Sequence, residues 1–309
     1  MVQAHRLRGR AVKERIMNLR PGAAALAALF LMAAVPPALA ADAPDAAPFL
    51  HARWDARSQA LAGIALAQPA GPAALMAAAP DLAGAAGAFT LAHTPVLAGA
   101  NYTFAGATTR AGAYTLGAGL LWFGTSDIPK TDSLGHVTGT FDYRQAAVLV
   151  GAGRELAGWD LGAVLKRVDV ATAGETAGGW GLDLGVGRNQ SWGRVDLILQ
   201  DVTGTPIAWS TGHVDRTGLR AALGVRWDRT PWHWSGELDS AGVLKLGAER
   251  TLNRWWSLLG GFETSGAGQA ITLGADFTTP GAEVSYGALI PLDGSYAGVR
   301  QTLGLTVRM

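Results

Sequence analysis

From Gly87 to Met309 the sequence alternates bulky and small residues, and much of the small row is glycine. In "GGWGLDLGVGRN", Gly178 to Asn189, Trp180, Leu182, Leu184 and Val186 fall on one face, and Gly181, Asp183, Gly185 and Gly187 on the other. A period of two is that of a strand. A soluble strand turns its bulky row to a core, which would leave a solvent face of bare glycine, and glycine weakens strands through backbone entropy. If the bulky row faces lipid instead, the glycines and the aspartate line a crowded or wet interior.

The same alternation recurs over roughly 87–94, 98–107, 111–123, 139–152, 158–168, 178–188, 192–202, 216–227, 232–239, 243–251, 255–264, 268–277, 282–290 and 298–309. About fourteen strands is an even number, as bacterial outer-membrane barrels require. The expected long connections, 124–138, 169–177 and 203–215, follow strands three, five and seven. The expected turns near Leu156, Gln190 and Arg229 are tight. Long loops at one end and short turns at the other is the outer-membrane pattern, with the short turns periplasmic. Trp122, Trp159, Trp180, Trp192, Trp227, Trp232, Trp255 and Trp256 fall at or near strand ends, where an aromatic girdle meets headgroups; as core filler they would cluster mid-strand.

Along each strand the apolar row is expected outside: Leu161, Ala163 and Leu165; Leu219, Ala221, Leu223 and Val225; Leu244 and Leu246; Ile271 and Leu273; Val284, Tyr286 and Ala288; Val299, Leu303, Leu305 and Val307. The alternate row carries charges of both signs among glycines. Its lumen-lining candidates are Asp142, Arg144, Asp160, Lys166, Asp183, Arg220, Arg226, Glu237, Lys245, Glu249, Asp276, Glu283 and Arg300. A polar lumen inside an apolar wall accounts for both rows.

The 309 residues are 49% hydrophobic and 16% charged, apolar for a soluble protein, yet only the start holds a long apolar run. Met17-Asn18-Leu19-Arg20, the run from Ala23 to Val35 and Ala38-Leu39-Ala40 read as a secretory signal cut after Ala40. The run is shorter than the roughly 20 residues of a membrane span. Residues 1–16 are either a long basic extension or the result of starting at Met1 rather than Met17. Six of the 25 Lys and Arg and one of the 24 acids lie in the first 40 residues, so the remainder is acidic and offers no footprint for nucleic acid. With no cysteine there are no disulfides and no thiolate metal sites.

Three regions are expected: a signal over 1–40, an Ala-rich helical plug segment over 41–86, and a barrel over 87–309. The segment is broken at Pro69, Pro72 and Pro80 and reads as two short helices, too small-sided to form a core alone. Its Arg53 and Arg57 either pair with lumenal acids such as Asp183, Glu237 or Glu283, or sit exposed at the periplasmic rim.

The residues give no catalytic signature and no cofactor. His5, His51, His93, His136, His213 and His233 are scattered without metal-ligand spacing. Ala208-Trp209-Ser210-Thr211-Gly212 lacks the first glycine and the strand-to-helix setting of a nucleophile elbow. Gly117-x-Gly119, Gly151-x-Gly153 and Gly185-x-Gly187 lack the third glycine of a dinucleotide site. Asp142 with Arg144 reads as a lumenal charge pair rather than a catalytic one.

Several segments in order resemble the PorV/PorQ proteins, relatives of the FadL-type fatty-acid channels. Ala79-Pro80-Asp81-Leu82-Ala83 resembles their Asn-Pro-Ala-Gly-Leu-Ala element, and "LAHTPVLAGANY" (Leu91 to Tyr102) their following strand and turn. "LGAGLLWFGTSDIP" with "GTFDYRQAAVLVGAG" is similar to their central strand pair, and "GAVLKRVDV" then "GWGLDLGVG" to their Lys-containing and Asp-Leu-Gly strands. Ala79 stands where the family has asparagine, Met309 where a terminal aromatic is usual, and Gly298-Val299-Arg300 keeps only the arginine of a Thr-His-Arg. The resemblance implies a non-enzymatic outer-membrane protein that docks or transfers exported proteins or lipophilic molecules. The alternatives are a FadL-like channel for hydrophobic solutes or a narrow porin. The partners implied are outer-membrane lipid and either an exported protein cargo or a hydrophobic ligand.

Overall fold

The computed structural model describes residues 45–309 except 52–54, 69–70, 78, 97–98, 266–267 and 293–297. The expected signal, the choice between Met1 and Met17, and Arg53 lie outside the described residues. The strands are β1 (Ala88–Pro95), β2 (Asn101–Ala111), β3 (Tyr114–Thr131), β4 (Val137–Leu156), β5 (Trp159–Thr172), β6 (Glu175–Gln190), β7 (Gly193–Gln200), β8 (Pro206–Trp209), β9 (Val214–Arg216), β10 (Arg220–Arg229), β11 (Trp232–Asp239), β12 (Leu244–Thr251), β13 (Trp256–Ser265), β14 (Gly268–Thr278), β15 (Ala282–Pro291) and β16 (Arg300–Arg308).

Fourteen of them close into an antiparallel ring. Pairing runs from β1 to β7, passes from β7 to β10, continues to β16 and returns to β1, where Ala88 faces Arg308. β8 and β9 form a hairpin outside the ring order, with β8 laid along β6 from Ala177 to Gly179. Closure leaves the ring itself no unpaired edge, which is the condition for crossing a bilayer with strands.

The strands reach further than the sequence pattern suggested. The expected loop 124–138 is largely the tip of β3 and β4, with a register shift between Thr125 and Ile128. The expected loop 169–177 is reduced to the turn at Ala173 and Gly174, and 203–215 holds most of the β8–β9 hairpin. A tilted spanning strand needs about 9–11 residues, whereas β3 has 18 and β4 has 20. Past the hydrocarbon the outward row is free to become polar, so the alternation that marks a strand disappears while the pairing continues.

The bulky row of "GGWGLDLGVGRN" faces out. Trp180 and Leu184 are exposed, Leu182 and Val186 half-buried, and Asp183 is buried on the other face. Leu161, Leu165, Leu246, Ile271, Leu273, Val284, Tyr286, Leu303 and Leu305 are likewise exposed. Two members of the expected outer row are covered, Val225 and Ala288. An apolar belt of this size would aggregate in water and is matched by lipid. The protein is an outer-membrane β-barrel.

The described residues between 45 and 86 lie against the inner faces of the strands. A 3-10 turn (Pro48–Leu50) is followed by α1 (Ala56–Ala60), α2 (Ala74–Ala77) and a second 3-10 helix (Ala79–Gly84). Asp55 caps α1 by accepting from the Ser58 N–H at 2.8 Å. Phe49, Leu61, Ile64, Leu66, Leu75 and Leu82 are fully buried, each worth roughly 1.5–3 kcal/mol by area. The segment thus finds in the barrel the partner that its small side chains cannot provide among themselves.

Candidate functional site

The inner glycines are aligned across strands, and the inner segment rests on them. Gly153, Gly162 and Gly185 are register partners on β4, β5 and β6. A Cβ on Gly162 would strike the Ala79 carbonyl, one on Gly153 the backbone of Leu82 and Ala83, and one on Gly185 the Pro80 ring. Gly274 and Gly287 pair across β14 and β15, beneath Ala60 and the Ala56 carbonyl. Gly247 and Gly261 pair across β12 and β13, beneath Leu61 and Ala62. Alanine on one side and glycine on the other allow two backbones to approach as no larger pair could.

Inner charges fix the segment at three places. Arg57 of α1 pairs with Asp276 on β14 and Glu249 on β12. The expected partners Asp183, Glu237 and Glu283 do not hold it, because α1 packs on β13 to β16. Glu237 instead accepts the backbone N–H groups of Ala65 and Leu66 at 3.1 and 3.2 Å, while Lys245 reaches the Gly63 carbonyl and Glu237, both at 3.1 Å. At the third place Arg194 lies between Asp81 of the segment, 2.8 Å away, and the wall residues Asp160 and Asp196, 2.5 and 2.9 Å away. Burial pushes the Asp81 carboxyl up, and Asp196 beside it adds to the rise against the opposing pull of Arg194. A fourth cluster joins Lys166 to Asp183 and Asp201 at 2.7 and 2.8 Å. His51 of the segment lies 3.7 Å from Asp201.

The segment separates two cavities. One, of about 180 Å³, lies toward the long connections and touches Gln59, Arg220, Asp239, Lys245, Glu263 and Arg300. The other, of about 150 Å³, lies toward the tight turns and touches Arg57, Ser58, Gln68, Asp81, Glu283 and Arg308. Arg57 and Ser58 border one and Gln59 the other, so a single turn of α1 divides them. Inward Tyr102, Phe123 and Tyr143 form an aromatic wall at the long-connection end, with ring centroids 4.3 and 6.1 Å apart in sequence.

Two of the lumen candidates are on the wrong face. On β4 the buried inward row is Gln145, Ala147 and Leu149, so Asp142 and Arg144 project outward and pair with each other at 2.7 Å. They lie on the strand tip, where water rather than lipid meets the outer row. Arg226 is inward beside Asp228, 3.0 Å away, and Glu283 beside Arg308, 2.9 Å away. Trp159, Trp192, Trp227, Trp232, Trp255 and Trp256 gather at the tight-turn end; Trp122 and Trp180 stand in the middle of β3 and β6, strands that overrun the apolar belt. Sequence reasoning missed Arg194, Asp196, Asp201 and Asp81. "GRVDLILQ" in β7 would have yielded the first two, since Arg194 and Asp196 alternate with Val195 and Leu197, and Asp81 is the lone acid between Asp55 and Asp127.

No family model matches the sequence, and no curated protein matches it by sequence. Solved structures do share the fold. A TodX monoaromatic hydrocarbon channel, a deltaS2S3 mutant, superposes with a TM-score of 0.60 at 12% identity, over 82% of this chain and 97% of that one. The CymD monoaromatic hydrocarbon channel superposes with a TM-score of 0.62 at 11% identity, over 84% and 98%. At this identity the likeness is one of fold alone.

Proposed function

We propose that the protein is a channel for small lipophilic or amphiphilic molecules, closed at rest by residues 45–86 and opened when they shift. The observation that carries this reading is the pair of cavities on either side of α1, held apart by a segment that grips the wall through small residues and a few charged contacts. Alanine on glycine offers little interlocking, so displacing the segment costs mainly its ion pairs and buried leucines. The vestibule toward the long connections sets cations and acids on one wall near aromatic rings, which suits a solute with an apolar body and a charged head. Likeness to hydrocarbon channels agrees with this in fold, and the substrate is proposed from the lumen itself.

The test is transport by the full chain in proteoliposomes. Uptake of an aromatic carboxylate, abolished in empty vesicles and raised when residues 41–83 are deleted from a barrel that still folds, is the expected result. Unchanged conductance in that folded deletion barrel would mean that the segment is no gate.

A second reading, PorV/PorQ-type docking of exported proteins, draws on one observation. β3 to β6 overrun the barrel and carry the β8–β9 hairpin as a projecting sheet. Recovery of secreted proteins on the purified barrel, lost when that sheet is trimmed, would favour it.

A further inference from the structure

Charges on the outer surface are sorted by end. On the ring strands toward the long connections, outward arginines are matched on their own strands: Arg144 lies 2.7 Å from Asp142, and Arg167 lies 2.7 Å from Asp169. Toward the tight turns, β4, β6, β10 and β12 each finish with an outward arginine within two residues of the strand's end, Arg154, Arg188, Arg229 and Arg250; Arg254 follows in the next turn. Among the described residues no acid lies within ion-pair distance of these five. The acids at this end, Glu155, Asp160, Asp228, Glu249, Asp276 and Glu283, all fall on the inner row.

Each of the five lies over an aromatic ring instead. The guanidinium carbon is 5.1 Å from the Tyr114 centroid for Arg154, 4.8 Å from Trp159 for Arg188 and 5.9 Å from Trp227 for Arg229. It is 5.4 Å from Trp232 for Arg250 and 4.5 Å from Trp255 for Arg254. A ring face holds a guanidinium without neutralising it and leaves N–H donors at the edge, the geometry that binds a phosphate. Tryptophan and tyrosine also settle at headgroup depth. The arc runs from β4 to the β12–β13 turn. On the remaining strands Arg110 and Arg308 are inward, donating to the carbonyls of Ala85 and Thr279.

We propose that this arc binds the phosphates of anionic phospholipid in the periplasmic leaflet, one headgroup to each arginine and ring. The short turns mark that end as periplasmic, and the apolar belt beside each arginine receives the acyl chains. Free arginine charge beside an apolar face fits a lipid, whereas a soluble anion would need no such belt.

The experiment is native mass spectrometry of the full chain carrying phosphatidylglycerol or phosphatidylcholine. The wild type is expected to retain phosphatidylglycerol preferentially, by about fivefold per arginine site. The triple variant Arg188→Gln, Arg229→Gln, Arg250→Gln should lose most of that preference, and Arg144→Gln with Arg167→Gln should keep it. A triple variant as selective as the wild type would overturn the proposal, as would displacement of the lipid by millimolar inorganic phosphate alone. Should the triple variant not fold, tryptophan quenching in the wild type decides: dibrominated phosphatidylglycerol should quench more than dibrominated phosphatidylcholine, and equal quenching would overturn it.

Discussion

At Gly162 the wall and the inner segment are so close that a single methyl group has nowhere to go, because it would meet the Ala79 carbonyl. Gly162→Val should therefore lift the second 3-10 helix off the wall at a cost of roughly 1–3 kcal/mol, read as increased conductance from a barrel with normal heat-modifiable migration. Gly236→Ala, whose added carbon meets nothing nearer than 3.8 Å, should change neither. On the outer face Leu182→Arg places a cation in the lipid belt and should cost about 2–4 kcal/mol in lipid-refolding titrations. Asp183→Asn should cost less, since Lys166 keeps Asp201. Asp81 supplies a pH dependence whose sign is set by its surroundings. Its folded value lies above the unfolded one, so docking is fully supported below the ordinary carboxylate value of about 4. That support is lost as pH rises through the raised value. Conductance should climb with pH in the wild type and be flatter in Asp81→Asn, where Asp160 and Asp196 still face Arg194; identical profiles would contradict the assignment.

Among the elements, the long strands of β3 to β6 do two jobs, closing the ring below and projecting above it. Replacing residues 130–138 by a short turn should leave folding and solute uptake unchanged. Loss of barrel assembly instead would show that the projection is part of the membrane wall. These are also the elements where the sequence was least legible. Fourteen ring strands could be read because lipid enforces an apolar outer row, and that signal stops at Arg144 and Arg167, where water takes over and the strand continues without it. Most of the inner charges were legible for the same reason, as interruptions of the apolar pattern; Arg194 and Asp196 were passed over, and Asp142 and Arg144 were misread at the tip where that pattern ends. The partners of the inner charges were not legible, since nothing local to Arg57 points to Asp276, more than two hundred residues away. The inner segment could be recognised as needing a partner from its alanines; where each part docks depends on glycine pairs such as Gly274 and Gly287, whose alignment is a matter of register.

For the whole molecule, an apolar exterior, a closed ring and a charged interior together specify an outer-membrane barrel, and the proposed function makes the segment within it the gate. The chain has no cysteine, so an engineered pair reports without interference. The Cβ of Ala56 lies 3.3 Å from a Cβ built on Gly304, near the separation of about 3.8 Å that a disulfide favours. Ala56→Cys with Gly304→Cys would tie α1 to β16. If the segment must move for solutes to cross, oxidation should abolish proteoliposome uptake and reduction should restore it, with the single-cysteine variants indifferent to both. Uptake that persists undiminished in the fully cross-linked protein would contradict the account.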